Sequence, residues 1–133
     1  MRQRRLLFLL FFSFLFLVFT QAQVKIPNEV SEAIKIGNES KLCEIFNDPV
    51  EMTVIDKENV YSKSQARQIL KEFFTTYPPR KYTLIHTGGK ENSRYGIAEY
   101  KGGDSNFRIT FYLKKSNDNL LIHQFRIEYD NNQ

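Results

Sequence analysis

Between Tyr82 and Tyr129 apolar residues fall at every second position in four successive runs. The runs are Tyr82, Leu84 and His86; Tyr95, Ile97 and Glu99; Phe107, Ile109, Phe111 and Leu113; and Leu121, His123, Phe125, Ile127 and Tyr129. Successive side chains of a strand point to opposite faces, so a period of two marks strands with one buried face. Gly88-Gly89, Gly102-Gly103-Asp104 and Ser116-Asn117-Asp118-Asn119 separate the runs with residues suited to tight turns. Connections this short join antiparallel neighbours, which predicts a four-stranded meander. One apolar sheet face then has to be covered by something else in the chain.

The cover is written just upstream with a helical period. Ser62 followed by Gln65 is a capping box, and Ala66, Ile69, Leu70, Phe73, Phe74 and Tyr77 lie on one helical face until Pro78-Pro79. Two shorter helices come first. Val30, Ala33 and Ile34 stand between Asn28 as a cap and Gly37 as a stop, and Leu42, Ile45 and Phe46 follow Asn38 and end at Asn47-Asp48-Pro49. Glu51 to Asp56 alternates as a strand, and Val60-Tyr61 offers a brief second one. The expected fold is α+β, a curved antiparallel sheet wrapped around a long amphipathic helix.

Residues 1–22 stand apart from this pattern. Arg2, Arg4 and Arg5 precede an apolar run from Leu6 to Phe19, broken by Ser13, and Thr20-Gln21-Ala22 places small residues where a signal peptidase cuts. The run is shorter than the ~20 residues of a bilayer-spanning helix, which favours a cleaved leader over a retained anchor. The expectation is a signal peptide over 1–22, one domain over 23–133, and a periplasmic or extracellular location without a stable membrane anchor. Cleavage removes three of the 19 basic residues and none of the 15 acidic ones, so the +4 of the whole chain falls to +1. A nucleic-acid partner loses its electrostatic basis. The single cysteine, Cys43, cannot close an intrachain disulfide, and it reads as a small buried residue. Cys43, His86 and His123 are too few for a structural zinc site, and no phosphate-cradling glycine loop or nucleophile elbow is present, so neither metal nor cofactor is expected.

Particular stretches resemble known proteins. Val60 to Ala66, Ile69 to Phe74, Leu84-Ile85-His86 and Leu121 to Glu128 are similar to a family of small exported proteins of Bacteroidota, domain of unknown function 4783. The order of elements, with Val50 to Ser62 running into Lys63 to Tyr77, resembles the cone of nuclear transport factor 2 and its relatives. The resemblance implies the cone and the export route, and it transfers no catalytic residue.

Within such a cone the alternation nominates Ile69, Phe73, Tyr82, Leu84, Tyr95, Phe111 and Phe125 as the pocket wall. His86, Glu99, Tyr61, Asp56 and His123 are the polar candidates, since a polar group on an apolar face must find a partner. Each has a plainer role beside the functional one. His86 and Asp56 fall next to turns, His123 suits a wall or edge, and Glu99 can pair with Arg94, Arg108 or Arg126 across the sheet. An apolar pocket with few convergent polar groups suits binding better than acid-base work. The preferred expectation is a noncatalytic binding or interaction domain of the cell envelope, holding a small apolar ligand or presenting its sheet to an envelope protein. The alternatives are a small isomerase, dehydratase or hydrolase using the same pocket, and a homodimer whose sheet face is buried for stability alone.

Overall fold

The computed structural model describes residues 25–132, so the leader expected over 1–22 lies outside the described residues. The elements run α1 (Asn28–Ile36), α2 (Glu39–Glu44), β1 (Phe46–Val54), β2 (Lys57–Tyr61), α3 (Lys63–Thr76), β3 (Pro79–Lys90), β4 (Ser93–Gly102), β5 (Ser105–Ser116) and β6 (Asn119–Tyr129). They form one six-stranded sheet in the order β2-β1-β6-β5-β4-β3, curved around α3. The meander of β3 to β6 is antiparallel throughout, whereas β1 lies parallel to β6.

Helix α3 forms as the capping box dictates. Ser62 Oγ accepts from Gln65 N–H at 3.1 Å, and Gln65 Oε1 accepts from Ser62 N–H at 3.0 Å, which satisfies two donors at the helix start. Ala66, Leu70, Phe73 and Phe74 are its buried face. Asn38 caps α2 through Lys41 N–H, and Gly37 at φ +66 closes α1. Asn28 does not cap α1, since Pro27 precedes the first turn and no side chain bonds there. Helix α2 also stops earlier than the spacing predicts. Phe46 enters β1 and pairs with Ile122, and Ile45 carbonyl accepts from Ile122 N–H at 2.8 Å, so pairing with β6 overrides the helical pattern.

Two further expectations shift in the meander. Gly88-Gly89 does not turn the chain, because β3 continues to Lys90 and the turn is Glu91-Asn92. Gly88 instead lies under the Tyr95 ring, where a Cβ would come within 2.5 Å of it. In β4 the inward phase is Gly96, Ala98 and Tyr100, not Tyr95, Ile97 and Glu99. The Phe111 ring lies over Gly96, with a notional Cβ only 2.4 Å from it, so small residues on β4 make room for large ones on β5.

The core sits between this concave face and the helices. Phe46, Met52, Leu70, Phe107, Phe111 and Phe125 are fully buried. Around Phe107 the rings of Phe73, Tyr77 and Tyr129 pack at 5.1, 4.8 and 5.0 Å between centroids. Tyr100 joins them and donates its hydroxyl to Tyr77 carbonyl at 2.6 Å, and burial pushes its phenol pKa well up.

Candidate functional site

Beta-strands β1 and β2 meet in the turn Ile55-Asp56, and this turn overhangs the C-terminal half of α3. A cavity of about 440 Å³ lies between them, lined by Val54, Ile55, Ile69 and Phe73 on the apolar side. Asp56, Lys57, Tyr61, Glu72, Thr76 and Tyr77 complete the lining. The size falls in the ~300–1,000 Å³ range of small-molecule sites. The strand beside the cavity, β2, is short and sets polar residues on the face it shares with Val54 and Met52. Lys57 and Asn59 stand opposite Val54 and Met52.

Ile55 holds the turn at φ +59, a left-handed conformation that a β-branched residue rarely adopts. Its N–H donates to Ile127 carbonyl at 2.7 Å, which ties the turn to β6 and keeps the Ile55 side chain against the core cluster. At the same rim the hydroxyls of Tyr77 and Tyr129 bond each other at 3.1 Å. That hydrogen bond, then burial, then the neighbouring negative charges, Asp56 among them, raise the Tyr129 phenol pKa. A phenol so shifted holds its proton, which suits hydrogen bonding to a ligand better than proton donation near neutral pH.

The polar and wall candidates divide by location. Asp56, Tyr61, Ile69 and Phe73 meet at the cavity. Tyr82, Leu84, Phe111 and Phe125 join or pack against the core cluster but do not line the cavity. Tyr82 bonds Ser31 Oγ at 3.0 Å under α1, and burial raises its phenol pKa against that bond. Three candidates expected to face inward are placed on the outer face. Tyr95 and Glu99 lie there because β4 has the opposite phase, and both are exposed. His86 follows them because Ile85 is an extra residue in β3. Leu84 stands opposite Ala98 while His86 stands opposite Ile97, so the bulge reverses the alternation. Glu99 sits across from Arg108, whose guanidinium reaches Asp130 at 3.8 Å.

His123 is likewise a bulge residue. Tyr112 pairs with Gln124 and Leu113 with Ile122, leaving His123 unpaired between them. Burial and the nearby Lys114 charge lower its pKa, and its Nε2 is buried with no hydrogen-bond partner among the described residues. Among the described residues no group of three or more His, Cys, Asp or Glu side chains could hold a metal ion. Cys43 is buried, and burial pushes its thiol up to about 11, which keeps it protonated and unreactive. No described helix is long and apolar enough to cross a membrane.

A family model described as Domain of unknown function (DUF4783) matches residues 27–128. A DUF4783 family protein from Bacteroides ovatus is 30% identical with a TM-score of 0.76, covering 80% of this chain and 96% of that one. Another from Bacteroides uniformis is 25% identical, also with a TM-score of 0.76, over 80% of this chain and 99% of that one. A de novo designed protein with a curved β-sheet, 13% identical over 75% of this chain and 92% of its own, has a TM-score of 0.64. Together with designed proteins of the nuclear transport factor 2 type, it shows the fold to be nuclear transport factor 2-like. No curated protein matches the chain.

Proposed function

We propose that this chain, which belongs to the DUF4783 family, is a noncatalytic binding domain that holds a small apolar molecule in the cavity between α3 and the β1–β2 turn. Its fold hosts many activities, so the reading rests on the cavity and not on the architecture. The observation that carries it is the lining. Val54, Ile55, Ile69 and Phe73 form an apolar wall, and Asp56, Lys57, Tyr61, Glu72, Thr76 and Tyr77 supply the polar groups of the lining. Neither histidine nor cysteine lines the space, and His86 and Glu99 are on the other side of the sheet. The leader pattern over 1–22 supports an exported protein of the bacterial envelope.

Native mass spectrometry of the protein from its own host, alongside Ile69→Trp, tests the reading. Retained small-molecule mass in the wild type, lost when tryptophan fills the cavity, is the expected result. Equal retention by both proteins, or none by either together with no uptake of added alkyl probes, overturns it.

Exposed Tyr95 and Tyr112 favour a second reading, in which the outer sheet face meets a partner or a second copy. Sedimentation of Tyr112→Glu against the wild type checks it. A dimer lost in the variant supports this reading, and a monomeric wild type removes the second copy.

A further inference from the structure

The rim of the cavity has a charge and ring composition that narrows the ligand class. Asp56 and Glu72 bring two carboxylates to the lining and Lys57 brings one ammonium. Neither carboxylate takes part in an ion pair within 4.0 Å among the described residues, and the lining carries one more negative charge than positive. Asp56 shares the lining with Tyr77, whose hydroxyl bonds that of Tyr129. Lys57 is exposed at the start of β2, and its long stem can carry its charge out to water. Three aromatic residues, Tyr61, Phe73 and Tyr77, line the same space, with the Phe73 and Tyr77 rings 5.3 Å apart at 41°.

Ring quadrupoles and unpaired carboxylates both attract a cation, whereas both oppose a carboxylate or sulfate head. The apolar wall disfavours a small, strongly hydrated ion, because its water would have to be stripped. An alkylated ammonium avoids that cost, since its charge is spread over methyl groups and its body is apolar. We propose that the cavity selects an apolar molecule ending in a substituted ammonium group, with Asp56 and Glu72 as counter-charges and Tyr61, Phe73 and Tyr77 as ring contacts. This inference rests on the ligand-binding reading above.

Calorimetry with three probes of equal chain length separates the two. Octyltrimethylammonium should bind about tenfold more tightly than 1-octanol, and octyl sulfate should bind most weakly. The preference should shrink as salt is raised. In the double variant D56N and E72Q, both positions exposed, the ratio of cation to alcohol should fall to about two or less. If cation and alcohol bind equally well, the ligand class is wrong while the binding reading stands. If the cation preference survives in the double variant, the assignment of the counter-charges is wrong. If none of the three probes binds, both the class and the binding reading fall.

Discussion

One side of the concave face is filled and the other is open, although a single sheet supplies both. Against β4 and β5, α3 meets Tyr100 and Phe107, and the rings of Phe73, Tyr77 and Tyr129 close around Phe107. Toward the β1–β2 turn, beyond the fully buried Val50 and Met52 of β1, the same helix meets Val54 and Ile55, then polar Asp56 and Lys57, and a cavity remains. The difference lies in the facing strand. Beta-strand β5 has twelve residues and sends Phe107, Ile109, Phe111 and Leu113 inward, whereas β2 has five and sends Lys57, Asn59 and Tyr61. A cone of this kind is therefore hollow where its edge hairpin is short and polar, and Phe73 belongs to both sides.

Substitutions at the filled side should be the most damaging. Phe107→Ala should cost about 3–5 kcal/mol in urea denaturation, as loss of a fully buried aromatic does. Against a total of ~5–15 kcal/mol, the variant would be barely folded. An unchanged midpoint would show that the ring cluster is not the core. Next comes Gly96→Ala, which drives a methyl into the Phe111 ring and should cost about 1–3 kcal/mol by overpacking. A neutral result would mean the ring shifts freely.

The open side should respond weakly to similar changes. Ile55→Asn relieves the positive φ while removing partly buried apolar surface, so stability should stay within about 1 kcal/mol of wild type. Uptake of apolar probes should fall all the same, since a wall residue has gone. A large loss of stability at Ile55 would erase the contrast between the two sides.

The effects of pH come last because they emerge only away from neutrality. His123 has a folded-state pKa below its usual value, so the unfolded chain takes up a proton first as pH falls. Stability should therefore decline as pH drops through about 6.5 and below, and His123→Gln should remove part of that decline. Cys43 acts in the opposite range. Its folded-state pKa is raised from 9.0 to about 11, so its contribution is present below pH 9 and lost as pH climbs toward 11. Cys43→Ala should lessen that alkaline loss, and identical pH profiles for variant and wild type would contradict it.

Each side was legible in the sequence only in part. Alternation in β5 and the capping box of α3 are strong local signals, and both elements form where those signals lie. The phase of β4 was not legible, because Tyr95 and Ile97 are more apolar than Gly96 and Ala98. Their small size makes sense only once Phe111 is seen over Gly96. The bulges at Ile85 and His123 each insert one residue and reverse the alternation without any glycine or proline to mark them. Asp56, Tyr61, Ile69 and Phe73 were nominated from sequence and meet at the cavity. Ile55 carried no signal, since a β-branched residue at positive φ runs against turn chemistry. The parallel pairing of β1 with β6 joins segments some seventy residues apart, and no local pattern encodes it.

Amide NMR of the protein titrated with 1-octanol tests the central claim, that the space under the β1–β2 turn is an open site. Saturable shifts confined to residues 54–57, Tyr61 and the Ile69 to Tyr77 half of α3 are the predicted result, with the amides around Phe111 and Ile109 unmoved. Shifts absent from the turn and α3, or centred on Tyr95 and Tyr112 of the outer face, would contradict it.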